Sequence, residues 1–191
     1  MSAATLNPGE ELAYALVTPY SLHKSRNGGI LARLLWADVR LVAARMFAPD
    51  PEGDFIEKYC DALYDPEENS ISLKSQRRII EYVLRNFGKP NVHNISNRFM
   101  LLVFAGPNAQ SEVLQAVGNM NQPVRGDNVR GTYGENVQLH TTHLEYDPAF
   151  MRMKNLQTKY PALADVEAPD YRSEFFEPAV FTGPDRKSTR L

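Results

Sequence analysis

RFMLLVFA, Arg98–Ala105, is the stretch whose reading decides the fold. After its arginine the run is wholly apolar, and turn-forming GKPNVHNISN (88–97) and Gly106-Pro107-Asn108 bound it. It is too short for a typical helix and rich in β-formers, so it reads as a strand. With no polar residue to offer to water, it reads as a central strand of a sheet. The neighbouring segments arrange themselves around it. Downstream, Asn108 is placed to cap a helix over AQSEVLQAVG, with Gly118 as its stop. NMNQPVRGDN (119–128) is a polar connection, and NVQLHTTH (136–143) alternates well enough for a closing strand.

Upstream, LKSQRRIIEYVLRNF (73–87) carries Leu73, Ile79, Ile80, Val83, Leu84 and Phe87 as an amphipathic stripe ending at Gly88. Before it, PDPEGDFIEKYCDAL (49–63) reads as an acid-capped helix and VRLVAARMF (39–47) as a strand. Gly28-Gly29 opens a helical run, ILARLLWAD (30–38). LAYALVT (12–18), closed by Pro19, reads as a buried strand, and TPYSLHKSRN (18–27) as a loop. With the helix at about 72–88 set aside as an insertion, the order approximates β-α-β-β-α-β, the ferredoxin-like plan of an α+β fold. The expected organisation is a domain over 1–160 and an extended C-terminal tail over 161–191, packed on the body or on a neighbour through Phe175, Phe176 and Phe181.

Bulk properties narrow the function. The chain has 191 residues, 43% of them hydrophobic and 23% charged, enough for one domain with a substantial core. A net charge of −2 argues against a general nucleic-acid binder, while leaving room for a local basic pocket. Cys60 stands alone, so neither an intrachain disulfide nor a Cys-rich metal site is expected. MSAATLNPGEELAY lacks the pattern of a signal peptide, and no window approaches 18 apolar residues. A cytoplasmic protein without a membrane span is the expectation.

VRGTYGENVQLHTTH (129–143) holds the residues that point to chemistry. A histidine such as His143 can accept a phosphoryl group covalently, and an arginine fork such as Arg130 can hold its oxygens. HTTHLEYD (140–147) also offers His140, His143, Glu145 and Asp147 as possible metal ligands. Two histidines three apart face opposite sides of a strand and share a face only on a helix, so that reading depends on local structure. Ser21, Lys24, Ser25 and Arg26 could line a phosphate pocket or form a solvated loop. Gln76-Arg77-Arg78 reads as one wet helix face, and Cys60 as a core residue.

Together these pieces resemble the nucleoside diphosphate kinase family. ELAYALVTPYSL is similar to its first strand and Lys-Pro-Asp turn, with Thr18-Pro19-Tyr20 at the turn. GGILARLLWADVRLVAARMF resembles its first helix and second strand, and FMLLVFAGPNAQSEVLQAVGN its third strand and following helix. VRGTY resembles its Ile-Arg-Gly-Asp-Phe segment, and HTTH its Asn-Ile-Ile-His, with the same Arg-to-His spacing. The resemblance runs from Glu11 to Asp147.

It implies a ferredoxin-like αβ sandwich, an antiparallel sheet with helices on one face, assembled as a homo-oligomer. It also implies transfer of the γ-phosphate of a nucleoside triphosphate to a nucleoside diphosphate through a phosphohistidine, with Mg²⁺ on the nucleotide. His143 would be the phosphorylated residue, Arg130 a nucleotide phosphate ligand, and Tyr59 the tyrosine near the transferred group. Some family positions differ. Thr18 and Tyr20 replace the turn lysine and aspartate, Leu114 falls where an arginine is expected, His140 replaces the asparagine, and Leu144-Glu145 replaces Gly-Ser. Losing two cationic contacts, each worth about 1.5–3 kcal/mol as a charge-assisted bond and about 2.7–4 kcal/mol as a transition-state donor, would slow transfer by a factor on the order of 10⁴. Lys24, Arg26 and a protonated His140 are the residues that could compensate at the nucleotide. The alternative is a catalytically silent relative, a nucleotide-binding or assembly module on the same scaffold.

Overall fold

The computed structural model describes residues 6–50, 54–64, 73–88, 95–118, 126–138, 156–163 and 174–182. They divide into two compact units. The first takes Met1–Phe47, Phe99–Glu135 and Phe176–Leu191; the second takes Ala48–Arg98 and Asn136–Phe175.

The first unit is built on a four-stranded antiparallel sheet. Its strands are β1 (Glu11–Val17), β2 (Arg40–Phe47), β3 (Phe99–Gly106) and β6 (Val180–Thr182), in the order β2-β3-β1-β6. The apolar run that opened the sequence reading is β3, and it pairs on both sides, with β1 through Ala15↔Leu102 and with β2 through Ala44↔Leu102. A register shift between Leu41 and Ala43 bends β2. Alternation then assigns the faces. Ala13, Ala15 and Val17 of β1 and Leu102 and Phe104 of β3 are buried. They pack with Ile30 and Leu34 of α2 (Asn27–Leu34), Val113 and Val117 of α5 (Ala109–Val117), and Val129 of α6 (Val129–Tyr133). Each large aliphatic or aromatic side chain buried here contributes about 1.5–3 kcal/mol relative to exposure. This is the ferredoxin-like α+β sandwich that the segment order implied.

The fourth strand is not the expected one. Alternation in NVQLHTTH suggested a closing strand, but β4 is Glu135–Gln138 and pairs instead with β5 (Glu174–Glu177) in a two-stranded sheet of its own. The place beside β1 is taken by β6, drawn from the segment read as an irregular tail. Phe181 is 1% exposed and lies opposite Leu16, which is what holds so short a strand. Three residues are too few to show a period, so the sequence pattern missed it.

TPYSLHKSRN also holds more structure than a loop. Thr18 accepts a hydrogen bond from the Ser21 amide at 3.2 Å and Pro19 occupies the first turn of α1 (Pro19–His23), a standard pair of helix-start signals. At α5 the stop was read correctly. Gly118 has φ 87°, and a Cβ there would overlap the Asn128 side chain. Asn108, however, makes no side-chain cap bond.

The second unit pairs α3 (Phe55–Leu63) with α4 (Leu73–Asn86). Ile79, Ile80, Val83 and Phe87 are buried, as the stripe required. Cys60 is 1% exposed, and burial pushes its thiol up to about 12, so it packs as an inert core residue. The expected wet face is not wet at Gln76 and Arg77, which are 3% and 6% exposed. Arg77 donates to Glu81 at 2.8 Å and to the Leu163 carbonyl at 3.0 Å. That second bond brings the turn Pro161–Leu163 against α4, following a short helix α7 (Leu156–Lys159). Lys159 reaches Glu57 at 2.6 Å and Asp61 at 2.9 Å, and Tyr160 donates to Asp61 at 2.8 Å.

Candidate functional site

The Lys24–Arg26 corner forms where α1 turns into α2. Ser25 sits between the two cations with φ 55°, a left-handed conformation that costs a non-glycine residue about 1–2 kcal/mol. The conformation aims both cations at one ring. The Lys24 ammonium lies 5.3 Å and the Arg26 guanidinium 5.6 Å from the centre of the Tyr20 ring. Arg26 then donates to the Tyr133 carbonyl at 2.7 Å and to Glu135 at 2.6 Å, while the Tyr20 hydroxyl donates to the other Glu135 oxygen. Gly29 allows α2 this close to α6, since a Cβ there would overlap the Tyr133 hydroxyl.

Electrostatics fix the protonation of this group. Burial pushes the Glu135 carboxyl up, but hydrogen bonds from Tyr20 and Arg26, with the charges of Arg26 and Lys24, bring it below its ordinary value. It is therefore an anion at neutral pH. Tyr20 moves the other way. Burial, the Glu135 carboxylate and then the nearby Glu177 charge all raise its hydroxyl, so it stays protonated and donates.

Arg130 occupies a different environment. It is 1% exposed, and its guanidinium donates to the carbonyls of Gly118 at 2.6 Å and Val180 at 2.9 Å. The first acceptor caps α5, where a cation also meets the negative end of the helix dipole. The second lies in β6, so Arg130 ties the end of α5 to the edge strand. Thr18, which the sequence resemblance set against a turn lysine, is fully buried as a helix cap and donates its amide to the Ala179 carbonyl at 3.0 Å. Leu114 is half-buried on α5.

Tyr59 belongs to the second unit, where its ring stacks on Phe55 at 5.7 Å and leans on Phe87 at 6.3 Å. His140, His143, Glu145 and Asp147 lie outside the described residues, and with them the possible metal set of HTTHLEYD. Among the described residues no group of three His, Cys, Asp or Glu side chains is placed to hold a metal ion. No helix among them is long and apolar enough to cross a membrane. The structure thus brings Lys24 and Arg26 together. It adds Tyr20 and Glu135, which the sequence reading did not select. Their signal was the unusual Tyr at the turn and the single acid just past VRGTY.

A concavity of about 280 Å³ opens at the other end of the sheet, between Glu10, Asp38, Arg40 and Pro107. Arg40 pairs there with Glu10 at 3.0 Å, so its charge is already matched.

No protein-family model matches the chain, and no curated protein matches it by sequence. Among solved structures it is similar to a transition-state mimic of nucleoside-diphosphate kinase from Borrelia burgdorferi with bound vanadate and ADP. The identity is 16% over 90% of this chain and 81% of that one, with a TM-score of 0.47. It is also similar to an NDP kinase from Pyrobaculum aerophilum, at 14% identity over 92% of this chain and 88% of that one, with a TM-score of 0.44. Superpositions this loose assign no residue of the site. The fold rests on the strand order and register.

Proposed function

We propose that the protein is a nucleoside-diphosphate-kinase-like phosphotransferase that takes the γ-phosphate of a nucleoside triphosphate onto His143 and passes it to a nucleoside diphosphate. One observation supports this above the others. Arg26, which shares the Tyr20 ring with Lys24, is fastened through the Tyr133 carbonyl and Glu135 to the very segment that runs on to His143. Phosphoryl transfer asks for concentrated positive charge beside an acceptor, and that segment carries the acceptor.

In the first half-reaction an imidazole nitrogen of His143 attacks the γ-phosphorus. The bond to the β–γ bridging oxygen breaks, and the diphosphate leaves with that oxygen and its electron pair. The second half-reaction runs the same changes in reverse on another diphosphate. Mg²⁺ arrives with the nucleotide as part of the substrate. Lys24 and Arg26 hold phosphate oxygens, and a protonated His140 adds a donor. Arg130 acts as a positioning residue that fixes the ends of α5 and β6. On this reading the protein works as a homo-oligomer in the cytoplasm.

A second reading, a silent nucleotide-binding or assembly module, draws support from the buried Arg130 and Thr18, two family positions used here for structure. One experiment separates them. Incubation with γ-labelled ATP and Mg²⁺ should give an acid-labile, base-stable label that His143→Ala abolishes and a nucleoside diphosphate removes. Wild-type protein that binds ATP yet takes no label would leave the module as the function.

A further inference from the structure

We propose that Glu135 is a built-in plug of the Lys24–Arg26 corner, a carboxylate occupying the place of a phosphate oxygen, which a phosphate-bearing ligand must displace to bind. The proposal rests on reading this corner as a phosphate site.

Four observations carry it. An arginine fork recognises carboxylate and phosphate by the same planar two-oxygen geometry. Arg26 has committed one arm to Glu135 at 2.6 Å and the other to the Tyr133 carbonyl at 2.7 Å. The pair is accessible, with side chains 21% and 35% exposed, so an incoming anion can reach it. The plug is also held from behind. Tyr20 is 6% exposed, carries both cations over its ring and donates its hydroxyl to Glu135. Finally, the corner holds its cations in a strained backbone at Ser25, φ 55°. Strain of this kind persists where surrounding structure fixes it and concentrates at functional sites. The charges that face Tyr20 and Arg26 here are Lys24, Glu135 and Glu177. Removing the Glu135 charge leaves the two cations less neutralised without removing either one.

The test uses the full-length protein and isothermal titration calorimetry with two probes, inorganic tripolyphosphate and ATP, each with Mg²⁺. Glu135→Gln should bind tripolyphosphate about tenfold tighter than wild type, the gain expected when one competing charge leaves a half-exposed cation. Glu135→Gln combined with Arg26→Ala should lose that gain. Tyr20→Phe, which keeps the ring and frees the carboxylate, should tighten binding about threefold and decides the matter if Glu135→Gln fails to fold. Unchanged or weaker binding in the folded variants overturns the plug, and ATP binding by wild type would then leave the nucleotide reading standing. Tighter tripolyphosphate binding with no ATP binding keeps the plug and discards the nucleotide. Failure of every variant to bind either probe overturns both.

Discussion

The two units each contain an arginine–glutamate pair, and the pairs differ chiefly in their surroundings. Arg77 and Glu81 stand one turn apart on α4, with side chains 8% and 5% exposed and 2.8 Å between them. Arg26 and Glu135 stand 109 residues apart in sequence, meet at 2.6 Å, and keep 21% and 35% exposure. The first pair has lost its water and is bound to its partners by that loss. The second retains solvent, so its members can exchange partners. Buried pairing holds an architecture together; half-exposed pairing leaves charge available for work.

Cutting each pair tests that difference. Arg77→Ala strips a buried carboxylate of its ion-pair partner and should cost about 3–5 kcal/mol in urea denaturation. Arg77→Met with Glu81→Leu should recover most of it. The same cut at Arg26 should cost under about 1 kcal/mol. Equal losses at the two arginines would erase the distinction.

Arg130 falls between them. Its two bonds to carbonyls are charge-assisted, each worth about 1.5–3 kcal/mol, and relaxation recovers part of the sum. Arg130→Ala should therefore destabilise by about 2–4 kcal/mol, and Arg130→Lys, without a fork, by roughly half as much. A stability unchanged in urea denaturation would show that the Gly118 and Val180 carbonyls do not depend on it.

The smallest effect concerns pH. Glu135 has a folded value below its unfolded one, so its contribution is present above the ordinary carboxylate range and is lost as pH falls through the lowered value. At this exposure it amounts to a few tenths of a kcal/mol. The melting temperature should therefore fall slightly less in Glu135→Gln than in wild type on acidification from about pH 6 to about pH 3. Taking the difference between the two proteins removes Asp61, whose carboxyl is also held low, chiefly by the hydrogen bond from Lys159. Parallel curves would show that Glu135 keeps an ordinary value.

What could be read in the sequence follows from which forces leave a local trace. The central strand, α4 and the ends marked by Pro19 and Gly118 were legible, because continuous burial, helical period and backbone constraint are written into neighbouring residues. β6 was not, since three residues hold their place by pairing with a strand far away in sequence. Within the candidate site, Lys24 and Arg26 could be selected by charge and position. Their engagement with Glu135 could not, because a salt bridge between distant segments has no pattern. Arg77 shows the same limit from the other side: its cluster was read as solvated, and its burial depends on Leu163, far along the chain.

The pairing of β1 with β6 has a consequence for how the protein comes into being. Leu16 finds Phe181 roughly 165 residues later, a loop whose closure costs on the order of 4–5 kcal/mol in chain entropy before any contact repays it. During synthesis β1 can pair with β3 as soon as residues 99–106 have been made. Its other edge stays open until residues 180–182 emerge. The newborn sheet therefore carries an unprotected border from the making of β3 until the making of β6, and its closure is the slow, late event of folding.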